Sequence, residues 1–326
     1  MNKILSFRLS VLSASMLSLS CCVGQTSTAT TVDKEAVKPN VEAPDKAVKP
    51  KKKGAGILGL LAKTIVGKKG GDKHFYAPFK KIPFTPKDHG LAYEEVNFKS
   101  ADGTKLHAWF LPAKEGFKKA KSTVVFSHGN AGNVAYHLAF VDWMMENGYN
   151  VFLYDYRGYG KSEGKASKEG TIADALAAFR YLGGRKDIDT SKLISVAHSL
   201  GGAKSLAAIS QMTPEEKKRL RGIVVMGAFS SYKKIAESMM GKAAAHVVSD
   251  SHNPADLITK APKVPLLVIH AKNDNIIPFS HGEELYEAAN KPKSFLNFSI
   301  SVSLKTTCSL YQSLLSLTSV IPVPKS

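Results

Sequence analysis

The chain has 326 residues, 44% of them apolar and 22% charged, enough for a sizeable core and unlike a disordered or fibrous protein. Lysine and arginine number 45 against 27 aspartate and glutamate, a formal charge of +18. Of that excess, +8 falls in residues 1–75 and +10 is spread thinly over the rest. This distribution argues against a nucleic-acid partner and fits a basic tether beside an anionic membrane. Cysteine occurs only at Cys21, Cys22 and Cys308, which excludes a disulfide framework or a thiolate metal site between them.

In chain order, residues 1–22 read as a signal peptide. Lys3 and Arg8 charge its start, and the Ser-interrupted apolar stretch from Leu9 to Leu19 is too short and too polar to stay as a spanning helix. It ends at Cys21–Cys22 after small residues, which resembles a bacterial lipoprotein processing site. The resemblance implies export, to the periplasm or to a lipid-anchored place on a bacterial membrane, with Cys21 or Cys22 acylated. Residues 23–74 read as a disordered basic linker. "VKPNVEAPDKAVKPKKK" buries too little apolar area to offset its ordering entropy. Inside it, "GAGILGLLAKTIVGKKGG" is an apolar island, either an amphipathic surface helix or a membrane-leaning segment.

From residue 75 strands and helices alternate. "LAYEEVNF" and "KLHAWFLP", joined by "SADGT", predict an antiparallel hairpin. The runs "STVVFSHGN", "YNVFLYDY", "KLISVAHS", "GIVVMGAF" and "PLLVIHA" predict buried strands. Helical patterns separate them: "NVAYHLAFVDWMMENG", "EGTIADALAAFRYLGG", "GGAKSLAAISQM" and "HGEELYEAAN". Continuous apolar strands between amphipathic helices predict one α/β domain with a mostly parallel sheet covered on both faces. The stretch 238–257, with Met239 and Met240, is either a packed helix or an adaptable cap over a pocket.

Three motifs carry chemistry. In "LISVAHSLGGAKSLAA" an apolar run meets a helical pattern at Ser199, with Ala197, Gly201 and Gly202 around it. A serine on so tight a strand-to-helix turn is exposed as a nucleophile beside helix N-terminal N–H groups; the plainer alternative is a helix N-cap. "FSHGNAGN" (126–133) follows another buried strand, and the N–H groups of Asn130 and Leu200 would together bind an oxyanion. "VIHAKNDNIIPF" places Asp274 at the end of a late strand, as a triad acid or an ordinary turn aspartate. His128 and His198 read as structural, the latter pointing away from Ser199. Asp155 and Arg157 read as an ion pair that positions their loop.

Taken together, "HGNAG", "DYRGYGKSEG", "SLGG" and "NDNIIP" resemble the serine hydrolases of the α/β-hydrolase superfamily, and "PFTPKDHGLAYEEVNFKSADGTKLHAWFLPA" resembles the opening of its Bem46-like group. The resemblance covers 75–296. It implies the α/β-hydrolase fold with an eight-stranded, mostly parallel sheet, and hydrolysis of a small-molecule acyl substrate with no cofactor and no metal. It carries over Ser199 as nucleophile, Asp274 as acid, and Asn130 with Leu200 as oxyanion donors. "AFSSY" (228–232) would border the acyl pocket. The family's histidine belongs on the loop after the last strand, yet no histidine follows His281, which the resemblance places at a helix start. Composition changes at the same place: from Phe295 onward there is no Asp, Glu, Gly, Ala or His. Residues 297–326 therefore read as an anomalous tail. A reading-frame shift, a divergent end that abolished catalysis, or a base supplied from elsewhere would each account for it.

Overall fold

The computed structural model describes residues 74–299. The signal peptide, all but the last residue of the linker, and the tail beyond 299 lie outside the described residues. Eight strands form one sheet: β1 (Glu94–Lys99), β2 (Lys105–Leu111), β3 (Ser122–Ser127), β4 (Tyr149–Tyr154), β5 (Leu193–His198), β6 (Leu220–Met226), β7 (Leu266–Ala271) and β8 (Lys293–Phe298). Their spatial order is β1-β2-β4-β3-β5-β6-β7-β8, and only β2 runs antiparallel to its neighbours.

The helices are α1 (Val134–His137), α2 (Asp142–Glu146), α3 (Lys168–Gly183), α4 (Leu200–Gln211), α5 (Pro214–Lys217), α6 (Tyr232–Met240), α7 (Lys242–Ala245), α8 (Pro254–Ile258) and α9 (Phe279–Ala288). Every residue of β4 and of β7 is buried, as a strand covered on both faces requires. At the edge, β1 buries only Val96 and Phe98 and turns Glu94, Glu95, Asn97 and Lys99 outward. On one face Phe110, Phe152, Val225 and Val268 join apolar residues of α3, α4 and α6 in a single core. On the other, Trp109, Phe126, Leu153 and Val196 pack with Val134, Leu138 and Met145.

Two local differences from the sequence reading matter for the site. The pattern over 133–148 is not one helix. His137 (φ −109°, ψ 0°) and Val141 (φ −130°, ψ −12°) break it around a 3₁₀ turn at Leu138–Phe140, while the His137 imidazole is held back on the Ala131 carbonyl, 3.0 Å away. A two-residue strand, Ala77–Pro78, pairs in parallel with Ala131–Gly132, too short to leave any periodicity in the sequence. Among the described residues no helix is long and apolar enough to cross a membrane.

Parallel strands β3 and β5–β8 bring their carboxyl ends to one edge of the sheet, the place where open α/β sheets present ligands with a crevice. Ser127, His198, Met226 and Ala271 end four of these strands there.

Candidate active site

Only Ser199 separates β5 from α4. Its backbone lies at φ 54°, ψ −121°, a region that costs a non-glycine residue about 1–3 kcal/mol and persists only where the surroundings enforce it. The enforcement is visible. Ser199 N donates to Met226 O on the neighbouring strand at 2.8 Å, and Gly202 N donates to Ser199 O at 3.0 Å. The small residues follow from the same close approach. A methyl on Gly201 would fall 2.0 Å from the Ser127 carbonyl oxygen, and one on Gly202 would fall 2.6 Å from Ala228 Cβ. Ala197 is fully buried, so the methyl it carries in place of a glycine has been packed into the interior.

The loop after β3 lies directly against this turn: a methyl on Gly129 would sit 3.6 Å from Ser199 Cβ. Each of its carbonyls is held. Tyr156 OH donates to His128 O (3.2 Å), His128 Nδ1 to Gly129 O (2.8 Å), Tyr159 OH and Ala77 N to Asn130 O (2.7 and 2.9 Å), His137 Nε2 to Ala131 O (3.0 Å), and Phe79 N to Gly132 O (3.0 Å). Asn133 caps α1 and also donates to Phe79 O and Lys81 O. By contrast the N–H groups of Asn130 and Leu200 have no acceptor among the described residues. With its carbonyls occupied and these donors open, the loop is able to receive negative charge.

Asp274 follows β7. Its Oδ1 accepts hydrogen bonds from Ile276 N and Ile277 N at 2.8 and 2.9 Å, which fixes the carboxylate in its turn. Its Oδ2 lies 3.8 Å from the place a methyl on Gly227 would occupy, so it faces the end of β6. Since β6 runs between β5 and β7, the strands that lead to Ser199 and Asp274 are two strand spacings apart, roughly 10 Å, and deliver both residues to the same edge.

All ten histidines fall between His74 and His281 and are therefore described. Among the described residues none is hydrogen-bonded to Ser199 or Asp274. His270 Nε2 is 3.8 Å from Asp274 Oδ2 but donates instead to Ile277 O at 2.9 Å. His281 turns Nδ1 toward Ser230, accepting from its N–H at 3.2 Å. His198 packs its ring on Phe140, 4.6 Å between centroids, on the α1–α2 side. His128, His137 and His198 form a small imidazole cluster: His128 stacks on His137 with centroids 4.9 Å apart, and His198 lies tilted against His137 at 6.2 Å. Burial pushes all three below the usual histidine range, His137 to about 4 and His198 to about 3. Three neutral, poorly basic rings are the result.

The structure corrects one pairing. Asp155 and Arg157 do not bond each other. Arg157 reaches Asp174 on α3 (2.8 Å) and Asp102 in the hairpin turn (2.7 Å). Asp155 is fully buried beneath the loop after β3, accepting from Val134 N at 2.9 Å and from His107 Nδ1 at 3.3 Å. The two charges, two positions apart, serve different neighbours. Sequence reading also missed the loop's donors, Tyr156, Tyr159 and His137. The tyrosines sit in the quoted "DYRGYG", but an aromatic residue there signals packing before it signals a hydrogen bond.

The Hydrolase_4 family model, described as serine aminopeptidase, S33, matches residues 118–260. The protein YfhR of Escherichia coli O157:H7 is 36% identical over 223 residues, 68% of this chain and 76% of YfhR. The protein bem46 of Schizosaccharomyces pombe is 28% identical over 199 residues, 60% of this chain and 64% of bem46. The α/β hydrolase domain-containing protein WAV2 of Arabidopsis thaliana is 33% identical over 246 residues, 70% of this chain and 77% of WAV2. The chain belongs to the α/β-hydrolase superfamily. Its fold is similar to that of the Pyrococcus furiosus esterase Pf2001, with a TM-score of 0.61 at 19% identity over 75% of this chain and 96% of the esterase. By family, then, it is an α/β-fold hydrolase, and the sheet order and strand–Ser199–helix turn are where that family membership is written in the backbone.

Proposed function

We propose that this chain is an exported serine hydrolase of carboxylic ester, thioester or amide bonds whose chemistry is impaired because no triad histidine is present. Ser199 Oγ would attack the acyl carbonyl, forming a C–O bond while the carbonyl electron pair moves onto oxygen. The N–H groups of Asn130 and Leu200 would receive that oxyanion. Collapse would expel the alcohol, thiol or amine and leave an acyl-Ser199, which water then hydrolyses. Asp274 would orient and charge-stabilise an imidazole standing between it and Ser199.

In an intact triad that imidazole takes the Ser199 proton and passes it to the leaving group. Here solvent must do both. Oxyanion binding and substrate positioning alone retain roughly 10³–10⁴ over the reaction in water. The observation that carries the reading is the enforced backbone of Ser199 at the carboxyl end of β5, beside a loop with open amide donors. A fluorophosphonate probe tests it: labelling at Ser199, abolished by Ser199→Ala, is the expected result.

A second reading is favoured by the histidine survey: an exported protein that keeps the hydrolase fold as a non-catalytic binding module. A folded protein that takes no label at Ser199 would support it. In either case residues 1–22 and the basic linker would place the domain at a bacterial envelope membrane, where an acyl chain on Cys21 or Cys22 and the linker lysines anchor it. Resequencing the gene across codons 290–326 separates a frame shift from a divergent end.

A further inference from the structure

Among the buried side chains that hold the backbone of the site, His128 acts from within the loop itself. His128 is fully buried, its ring lying 4.5 Å from Tyr156, 5.1 Å from Tyr159 and 4.9 Å from His137 between centroids. Burial keeps the imidazole neutral, so it carries one N–H. That N–H goes to the carbonyl of the next residue, Gly129, with Nδ1 and oxygen 2.8 Å apart. Its Nε2 has no hydrogen-bond partner and lies 3.7 Å from Asp155 Oδ1.

The Gly129 carbonyl and the Asn130 N–H belong to the same peptide unit. A trans peptide is planar, with its C=O and N–H pointing opposite ways. Holding the oxygen therefore fixes the direction of the hydrogen, and a donor on the oxygen also polarises the amide and strengthens its N–H as a donor. Glycine at 129 makes the hold necessary, since a glycine peptide otherwise rotates with little steric resistance. The following peptide is clamped independently by Ala77 N and Tyr159 OH on Asn130 O. Only the Gly129–Asn130 unit depends on a side chain of its own loop.

We propose that His128 is a positioning residue for the reaction: its Nδ1–H holds the Gly129 carbonyl so that the Asn130 N–H points at the carbonyl oxygen of an acyl group on Ser199. This rests on the reading of Ser199 and Asn130 given above.

Two variants separate the hydrogen bond from packing. His128→Phe keeps a flat ring and loses the donor. His128→Asn loses the ring but places an amide N–H where Nδ1 was. The second-order rate of fluorophosphonate labelling at Ser199 should fall by roughly 10²-fold in the Phe variant, the scale of losing one oxyanion donor. It should recover most of that loss in the Asn variant, even though the Asn variant melts at the lower temperature. Rates that instead follow melting temperature, or a folded Phe variant that labels like the wild type, would overturn the proposal. Crystal structures of both variants read the peptide itself: it should turn over in His128→Phe and stay in His128→Asn. An unmoved peptide in His128→Phe overturns the role of His128 even where the wild type takes no label. Absence of wild-type labelling would count against the nucleophile reading, and the peptide orientation would still decide this one.

Discussion

The Tyr159 hydroxyl donates a 2.7 Å hydrogen bond to the Asn130 carbonyl, tying the loop after β4 to the loop after β3. Tyr159 is fully buried, and burial raises its phenol well above the usual range, so it stays a donor at any ordinary pH. Tyr159→Phe keeps the ring and removes the donor, leaving Ala77 N as the remaining partner of that carbonyl. The expected cost is about 1 kcal/mol, the usual net worth of one such bond. Chemical denaturation checks it. A several-fold slower labelling of Ser199 should accompany the loss.

Gly201 and Gly103 make a matched pair. Gly103 has φ +85° and nothing within 4 Å of a would-be methyl, whereas Gly201 would drive its methyl to 2.0 Å from the Ser127 backbone oxygen. Gly103→Ala should cost about 1–2 kcal/mol, the left-handed backbone penalty alone. Gly201→Ala must push α4 away from β3, so the overpacking range of about 1–3 kcal/mol is a lower bound for it. Equal melting temperatures for the two variants would show that the close packing beneath Ser199 is not rigid.

Acid should weaken the fold through the imidazole cluster. His137 is neutral and buried, with its pKa lowered from 6.5 to about 4. Between those values the unfolded chain binds a proton that the folded chain refuses, so stability is full above pH 6.5 and is lost as pH falls toward 4. At one unit per 1.36 kcal/mol, His137 alone accounts for about 2 kcal/mol between pH 7 and pH 5. His128 and His198, shifted the same way by burial, add to the loss. Asp142, raised to about 6, opposes it, because the folded chain there takes its proton first. His137→Gln retains a donor for the Ala131 carbonyl and does not titrate. Comparing urea melts of this variant and the wild type at pH 7 and pH 5 isolates the histidine, and the variant should lose the smaller amount.

The parts of this protein that the sequence announces are those in which consecutive residues do the work. Apolar runs with turns on either side specify the strands. "AHSLGG" specifies the turn at Ser199, because the glycines that permit it are its immediate neighbours. Asp274 is held by Ile276 and Ile277, within the same short motif. What escaped notice joins distant segments. Tyr159 meets Asn130 across 29 positions through one hydrogen bond, and Ala77 meets Ala131 across 54 through a two-residue pairing, neither long enough to leave a periodicity. Arg157 passes over its near neighbour Asp155 for Asp174 and Asp102, because side-chain direction depends on a loop path that residue order does not encode. The helix pattern over 133–148 failed because the backbone leaves helical geometry at His137 and Val141, on either side of the 3₁₀ turn at Leu138–Phe140.

The most direct test of a nucleophile without its base is to supply the base. The folded full-length chain is treated with p-nitrophenyl acetate, with and without added imidazole, and acetylation is located by peptide mass spectrometry. Slow acetylation of Ser199 that imidazole accelerates, and that Ser199→Ala removes, is the predicted result. Acetylation spread over surface lysines, indifferent to imidazole and to Ser199→Ala, would contradict the account.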